Sequence, residues 1–123
     1  MAPLVLTVDD SRTMRQMLKA ALEDAGYDVI QASDGVEGVR SLDEVTPDLI
    51  ITDINMPRLD GFGLIEHVRM QPERSSIPIL VLTTESDAAK KDRARQAGAS
   101  GWIVKPFDPV KLVSAIRRVI SVA

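Results

Sequence analysis

Five short apolar runs, each followed by a stretch with helical spacing, limit most strongly what this chain can fold into. Leu4 to Val8 reads as a buried strand. Ser11 can cap a helix with apolar positions at Met14, Met17, Leu18, Ala21, Leu22 and Ala25, and Gly26 ends it. Tyr27 to Ala32 reads as a second strand and Gly35 to Val45 as a second helix, closed by Thr46-Pro47. Asp48 to Thr52 is a very apolar third strand, followed by a loop and a helix from about Gly61 to Gln71. Ile79 to Thr83, a polar helix from about Ser86 to Ala97, Trp102 to Val104 and a helix from about Pro109 to Ser121 complete the pattern.

Strands that are apolar throughout belong in a sheet covered on both faces. Regular alternation with helices makes that sheet parallel, with right-handed crossovers. The expected fold class is therefore α/β: a doubly wound, five-stranded parallel sheet in the order 2-1-3-4-5. One unit spanning residues 1–123 is expected, since no linker or repeat interrupts the pattern and the last helix leaves no room for an effector domain.

Composition removes several function classes. The balance of 15 Lys and Arg against 18 Asp and Glu gives a net charge of −3, so no global attraction to nucleic acid or to an anionic membrane exists. The chain has no cysteine, which excludes disulfides, thiol catalysis and thiolate metal sites. The apolar run after Met1-Ala2-Pro3 is too short for a signal peptide or membrane span, so no targeting segment is expected.

In a doubly wound sheet, ligands bind beyond the carboxyl ends of the strands. The first strand ends in Asp9-Asp10, the third in Asp53, the fourth in Thr83 and the fifth in Lys105. Three carboxylates on one edge repel one another unless a cation joins them. An all-oxygen set favours Mg²⁺ or Mn²⁺ over zinc. Lys105 and Thr83 suit phosphoryl oxygens, one as a point charge and the other as a hydroxyl donor. A carboxylate can act as nucleophile and form an acyl phosphate. Phosphoryl transfer asks mainly for positioning and charge neutralisation.

The ordered set Val8-Asp9-Asp10-Ser11, Thr52-Asp53-Ile54-Asn55-Met56-Pro57, Asp60-Gly61, Val81-Leu82-Thr83, Ala97-Gly98-Ala99 and Lys105-Pro106-Phe107 resembles the response-regulator receiver domain of two-component signalling, in its stand-alone chemotaxis type. The resemblance implies that Asp53 is the phosphoacceptor and that Mg²⁺ is held by Asp9, Asp10, Asp53 and the backbone carbonyl of Asn55. Asp9 would act partly through metal-bound water. It implies that Lys105 pairs with the acidic site and then with the phosphoryl group, that the Lys105–Pro106 bond is cis, and that Thr83 is the switch hydroxyl. Pro57 and Gly61 shape the loop after Asp53, with Gly61 able to supply a backbone conformation that other residues resist.

The resemblance further implies a switch in which Thr83 moves toward the phosphoryl group and the aromatic residue on strand 5 turns in from solvent. That residue is Trp102, where the family usually has Tyr or Phe. In the family the positions of Asn55 and Glu85 flank the hydrolytic water, and this pair resembles that of chemotaxis-type receivers, which implies a short-lived signal. The partners implied are a histidine kinase and a target protein such as the flagellar motor switch, met by the face of helix 4, strand 5 and helix 5, in the cytoplasm and as a monomer. A phosphate sink or relay in another pathway is the alternative. The resemblance implies that the chain assists phosphorylation of Asp53 and its reversal, and so would be a switch and not an enzyme acting on external substrates. A flavodoxin-like cofactor protein conflicts with the acidic first loop. A phosphohydrolase of this kind would carry an acid–base Asp where Asn55 stands. His67 reads as an ordinary surface residue, Met14 and Met17 as packing, and the basic row Lys90, Lys91, Arg93 and Arg95 as either a solvated or a docking face.

Overall fold

Strands alternate with helices through the residues that the computed structural model describes, 2–120. The order is β1 (Leu4–Val8), α1 (Arg12–Asp24), β2 (Asp28–Ala32), α2 (Gly35–Glu44), β3 (Leu49–Thr52), α3 (Gly61–Arg69), a 3-10 turn (Pro72–Arg74), β4 (Ile79–Thr83), α4 (Ala88–Ala97), β5 (Gly101–Val104) and α5 (Pro109–Val119). All strand pairs are parallel and the sheet runs β2-β1-β3-β4-β5, as expected. The chain turns back at β1 and β3, which lie side by side with Val8 opposite Thr52. The fold thereby places Asp9 and Asp53 at neighbouring strand ends.

The period-two alternation of side chains divides the core in two. Leu6, Val8, Ile50, Ile79 and Val81 face a layer built from Leu42 of α2, Leu64, Ile65 and Val68 of α3 and Ala94 of α4. Val5, Leu49, Ile51, Leu80 and Leu82 face Leu18 and Leu22 of α1 and Leu112 and Ile116 of α5. Both layers are closely covered, with the strand side chains of β3 and β4 no more than 2% exposed. Burying one such Leu or Ile contributes about 1.5–3 kcal/mol.

Helix starts follow one rule. Ser11 caps α1 by accepting from the Met14 N–H, and Asp34, Asp60, Asp87 and Asp108 cap the other four α-helices in the same way. An aspartate here satisfies an orphan donor and complements the positive end of the helix.

Several boundaries differ from expectation. Met17 is 48% exposed and is not core, because the buried row on α1 runs Met14–Leu18–Leu22 at steps of four and leaves Met17 at its flank. The fourth helix starts at Ala88, since Asp87 caps it and Ser86 precedes the cap. The third helix stops at Arg69, and Pro72 opens the 3-10 turn. The strands β2 and β3 start one residue later than expected, at Asp28 and Leu49, while β5 starts one earlier, at Gly101. Val45 is the cap of α2 and not part of it. The last helix is described to Val119, and Ser121 lies outside the described residues.

Candidate functional site

Backbone ladders carry past the strand ends and set the site residues in place. The Asp9 N–H donates to the Ala32 carbonyl at 3.1 Å, the Asp53 N–H to the Val8 carbonyl at 2.9 Å and the Lys105 N–H to the Thr83 carbonyl at 2.8 Å. Each residue is thus the rung after the last residue of its strand. The Lys105 ammonium lies 2.8 Å from Asp9 Oδ2 and 2.8 Å from Asp53 Oδ2. Asp9 Oδ1 accepts from the Ser11 N–H at 2.9 Å, and Asp53 Oδ1 from the Ile54 N–H at 2.6 Å. Carboxylate oxygens of Asp9, Asp10 and Asp53 lie within 4.8 Å of one another. Asp9 and Asp53 are buried, whereas Asp10 is exposed.

Burial pushes the Asp9 carboxyl above the usual aspartate range, against the opposing pull of its bonds from Lys105 and the Ser11 N–H. Burial alone would lower Lys105, but its bonds to Asp53 and Asp9 outweigh that and hold the ammonium above the ordinary lysine range. One ammonium therefore stands against three carboxylates. The donor set is all oxygen, one member faces solvent, and the net charge is negative, which fits a hard divalent cation of the Mg²⁺ kind.

Thr83 is fully buried, and its hydroxyl oxygen accepts from the Glu85 N–H at 3.2 Å. Glu85 is held in turn by the Lys90 ammonium and the Asp87 N–H, each at 3.1 Å, and these bonds draw its carboxyl below the usual range. Trp102 packs partly buried against the layer containing Val81 and Ala94, with its indole N–H covered and unpaired. It lines a cavity of about 250 Å³ between α4 and β5, together with Ala88, Lys91, Arg95 and Gly101. The aromatic ring expected to turn in from solvent is thus already half inside.

Asn55 is exposed on the loop between β3 and α3. The need for glycine at position 61 is one of space. A Cβ there would lie 2.3 Å from the Asp53 carbonyl oxygen, and the Gly61 N–H bonds the Ile54 carbonyl at 2.9 Å. The left-handed backbone in this loop belongs instead to Arg58, with φ 66°, whose Nε donates to Asp34 Oδ2 at 2.8 Å. Sequence reasoning missed this pair and the Glu85–Lys90 pair. Asp34 before Gly35 had the form of a helix cap, but nothing local to Arg58 announces its partner. The Lys105–Pro106 peptide is cis, as the resemblance implies. His67 is half-buried and bonds Gln71 at 2.8 Å, well outside this cluster of charges. In the basic row, Lys90 pairs with Glu85, Arg95 with Asp92, and Arg93 lies 4.0 Å above the Phe62 ring.

The family model described as the response regulator receiver domain matches residues 5–117. The chain belongs to that family. It is 41% identical over 119 residues to the chemotaxis protein CheY1 of Helicobacter pylori, covering 95% of this chain and 96% of that protein. It is 38% identical over 116 residues to a probable transcriptional regulator, ycf27, of Porphyridium aerugineum, covering 94% of this chain and 47% of that protein. The chain thus spans about half the length of the ycf27 regulators it matches. Among solved structures, the chemotaxis protein CheY4 of Vibrio cholerae superimposes with a TM-score of 0.92 at 44% identity, covering 97% of this chain and 99% of that one. The receiver domain of the sensor histidine kinase PA1611 of Pseudomonas aeruginosa, which holds a magnesium ion in its active site cleft, superimposes with a TM-score of 0.90 at 29% identity, covering 98% of each chain. As a receiver domain, this chain is a phosphorylation-dependent switch of two-component signalling. Among the described residues, no helix is long and apolar enough to cross a membrane.

Proposed function

We propose that Asp53 accepts a phosphoryl group from a histidine kinase, with Mg²⁺ held by Asp9, Asp10, Asp53 and the Asn55 carbonyl. The observation that carries this reading is the Lys105 ammonium, 2.8 Å from both Asp9 and Asp53, beside the exposed Asp10. A buried carboxylate already bonded to a cation, with a second cation site adjoining, is set up to hold a group bearing more negative charge.

In the transfer, an Asp53 carboxylate oxygen forms a bond to phosphorus as the P–N bond of the donor histidine breaks, its electron pair staying with the imidazole. Bound Mg²⁺ would offset charge on the phosphoryl oxygens. Lys105 exchanges its carboxylate bond for one to a phosphoryl oxygen. Thr83, whose hydroxyl hydrogen is not used by its bond from Glu85, donates to another. That displacement draws on the loop to α4 and on the packing of Trp102, changing the face formed by α4, β5 and α5. Water attack at phosphorus, past Asn55 and Glu85, returns the carboxylate and inorganic phosphate.

The output we propose is protein contact in chemotaxis, with the flagellar motor switch as target and a chemotaxis-type kinase as donor, in the cytoplasm and as a monomer. Similarity to CheY1 and CheY4 over nearly the whole of each supports this. Residues 1–123 would then act as one receiver unit. The second reading, a receiver serving another two-component pathway as sink, relay or input module, is favoured by the similarity to the ycf27 regulators.

Intact-protein mass after incubation with acetyl phosphate tests the chemistry. A Mg²⁺-dependent gain of one phosphoryl group, absent in Asp53→Asn, is expected. Equal gain in Asp53→Asn would remove Asp53 as acceptor. Binding of the phosphorylated chain to a purified motor-switch protein would separate the two outputs.

A further inference from the structure

Among the described residues, Arg58 is the one non-glycine residue with positive φ, at 66°. L side chains avoid this region, and Gly, Asn and Asp are the residues that usually fill it. An arginine held there, next to a site, asks what its side chain gains. Its Nε donates to Asp34 Oδ2 at 2.8 Å, while Asp34 Oδ1 accepts the Glu37 N–H at 2.9 Å and so caps α2. The Asp34 side chain is 8% exposed, so the pair is anchored in the protein at the carboxylate end.

The backbone repeats the attachment one residue on. The Gly35 N–H donates to the Leu59 carbonyl at 3.1 Å, and a Cβ on Gly35 would lie 2.3 Å from that oxygen. The far end of the loop is fixed by Gly61, whose N–H bonds the Ile54 carbonyl and whose α-carbon leaves no room for a side chain against Asp53. Asn55, Met56 and Pro57 therefore span two fixed ends. Among the described residues Arg58 makes no ion pair with Asp9 or Asp53, whose cation partner is Lys105.

We infer that Arg58 is a positioning residue for the divalent cation: its ion pair with Asp34 clamps the loop to the start of α2 and so holds the Asn55 carbonyl where the cation needs it. This rests on the reading of Asp9, Asp10, Asp53 and the Asn55 carbonyl as the Mg²⁺ site. A fixed loop presents its carbonyl without losing conformational entropy on binding, and a freed loop must order first.

Isothermal titration of Mg²⁺ into the unphosphorylated chain tests it, alongside thermal melting of each variant. Arg58→Gly keeps the positive φ without strain and deletes the guanidinium. It is expected to weaken Mg²⁺ binding by roughly tenfold, the range seen when groups behind metal ligands are removed. Arg58→Lys keeps a cation facing Asp34 and is expected to retain most of the affinity. Asp34→Asn keeps the helix cap and loses the ion pair, and combining it with Arg58→Gly is expected to add little to either change alone. Wild-type affinity in Arg58→Gly, with or without a lower melting temperature, would overturn the inference and leave the metal site standing. No Mg²⁺ binding by the wild type would overturn the metal site itself, and the inference with it.

Discussion

The Arg69 guanidinium holds the Gly98 carbonyl with two donors, Nε at 3.1 Å and Nη2 at 2.8 Å, and so ties the end of α3 to the end of α4. Its Nη1 also donates to the carbonyls of Ser75 and Ile77. No carboxylate takes part, and burial lowers the guanidinium from the ordinary arginine range. One side chain thus satisfies three carbonyls from two segments, the end of α4 and the approach to β4.

Arg69→Ala is expected to destabilise the fold by about 2 kcal/mol, because partly buried carbonyls lose charged donors. Arg69→Lys is expected to recover only part of this, since a compact ammonium lacks the planar fork that reaches Gly98 twice. Urea denaturation of the three proteins measures both differences.

Asp9→Asn is expected to raise the melting temperature at pH 7. Burial raises the folded-state pKa of Asp9, so its ionised form opposes folding at every pH above that value, and an amide removes the opposition. The gain should vanish as the pH falls toward the ordinary aspartate range. Loss of Mg²⁺ binding should accompany it, a trade of function against stability.

Asp34 works in the opposite sense. The Arg58 guanidinium and the Glu37 N–H hold its carboxyl below the usual value of 3.8, so its contribution is full above that pH and is lost as the pH falls through the lower folded value. Asp34→Asn should therefore lose less stability than wild type on acidification below about pH 3.8, read from melting temperatures across the acid range.

Lys105→Ala is expected to cost about 3 kcal/mol in the absence of metal, because Asp9 and Asp53 are left facing each other without a cation. Mg²⁺ should restore part of that stability, and more than it adds to wild type. Acceptance of phosphate should survive, while the change in Trp102 fluorescence on phosphorylation should be lost. Melting with and without Mg²⁺, and emission spectra with acetyl phosphate, check the two halves.

The sheet order and the residues at the strand ends were legible because both follow from short-range patterns. Continuous runs such as Leu49–Ile50–Ile51 mark buried strands, and alternation with helices sets the topology. Asp9, Asp53 and Lys105 then meet because each is the rung beyond its strand, and Thr83 ends the strand between them. What stayed hidden depends on pairing across sequence distance. Arg58 and Asp34 are separated by 24 residues and Arg69 and Gly98 by 29, and no local rule links them. Met17 failed for a smaller reason: helical spacing places it near the apolar face, and only the packing angle decides that Met14, Leu18 and Leu22 fill the interface.

The strand β5 is one of the two edges of the sheet and, among the described residues, pairs with β4 alone. A ribbon gripped along one border resists sliding but yields to torsion about that border. Lys105 follows the last rung, Val104, and Trp102 sits three positions before Lys105, opposite Val81. The proposed change of charge at Asp53 would therefore act, through its bond to Lys105, at the tip of the ribbon that carries the indole. In the proposed switch the indole would then be reached from two sides, along the ribbon from Lys105 and through Thr83 and the loop to α4.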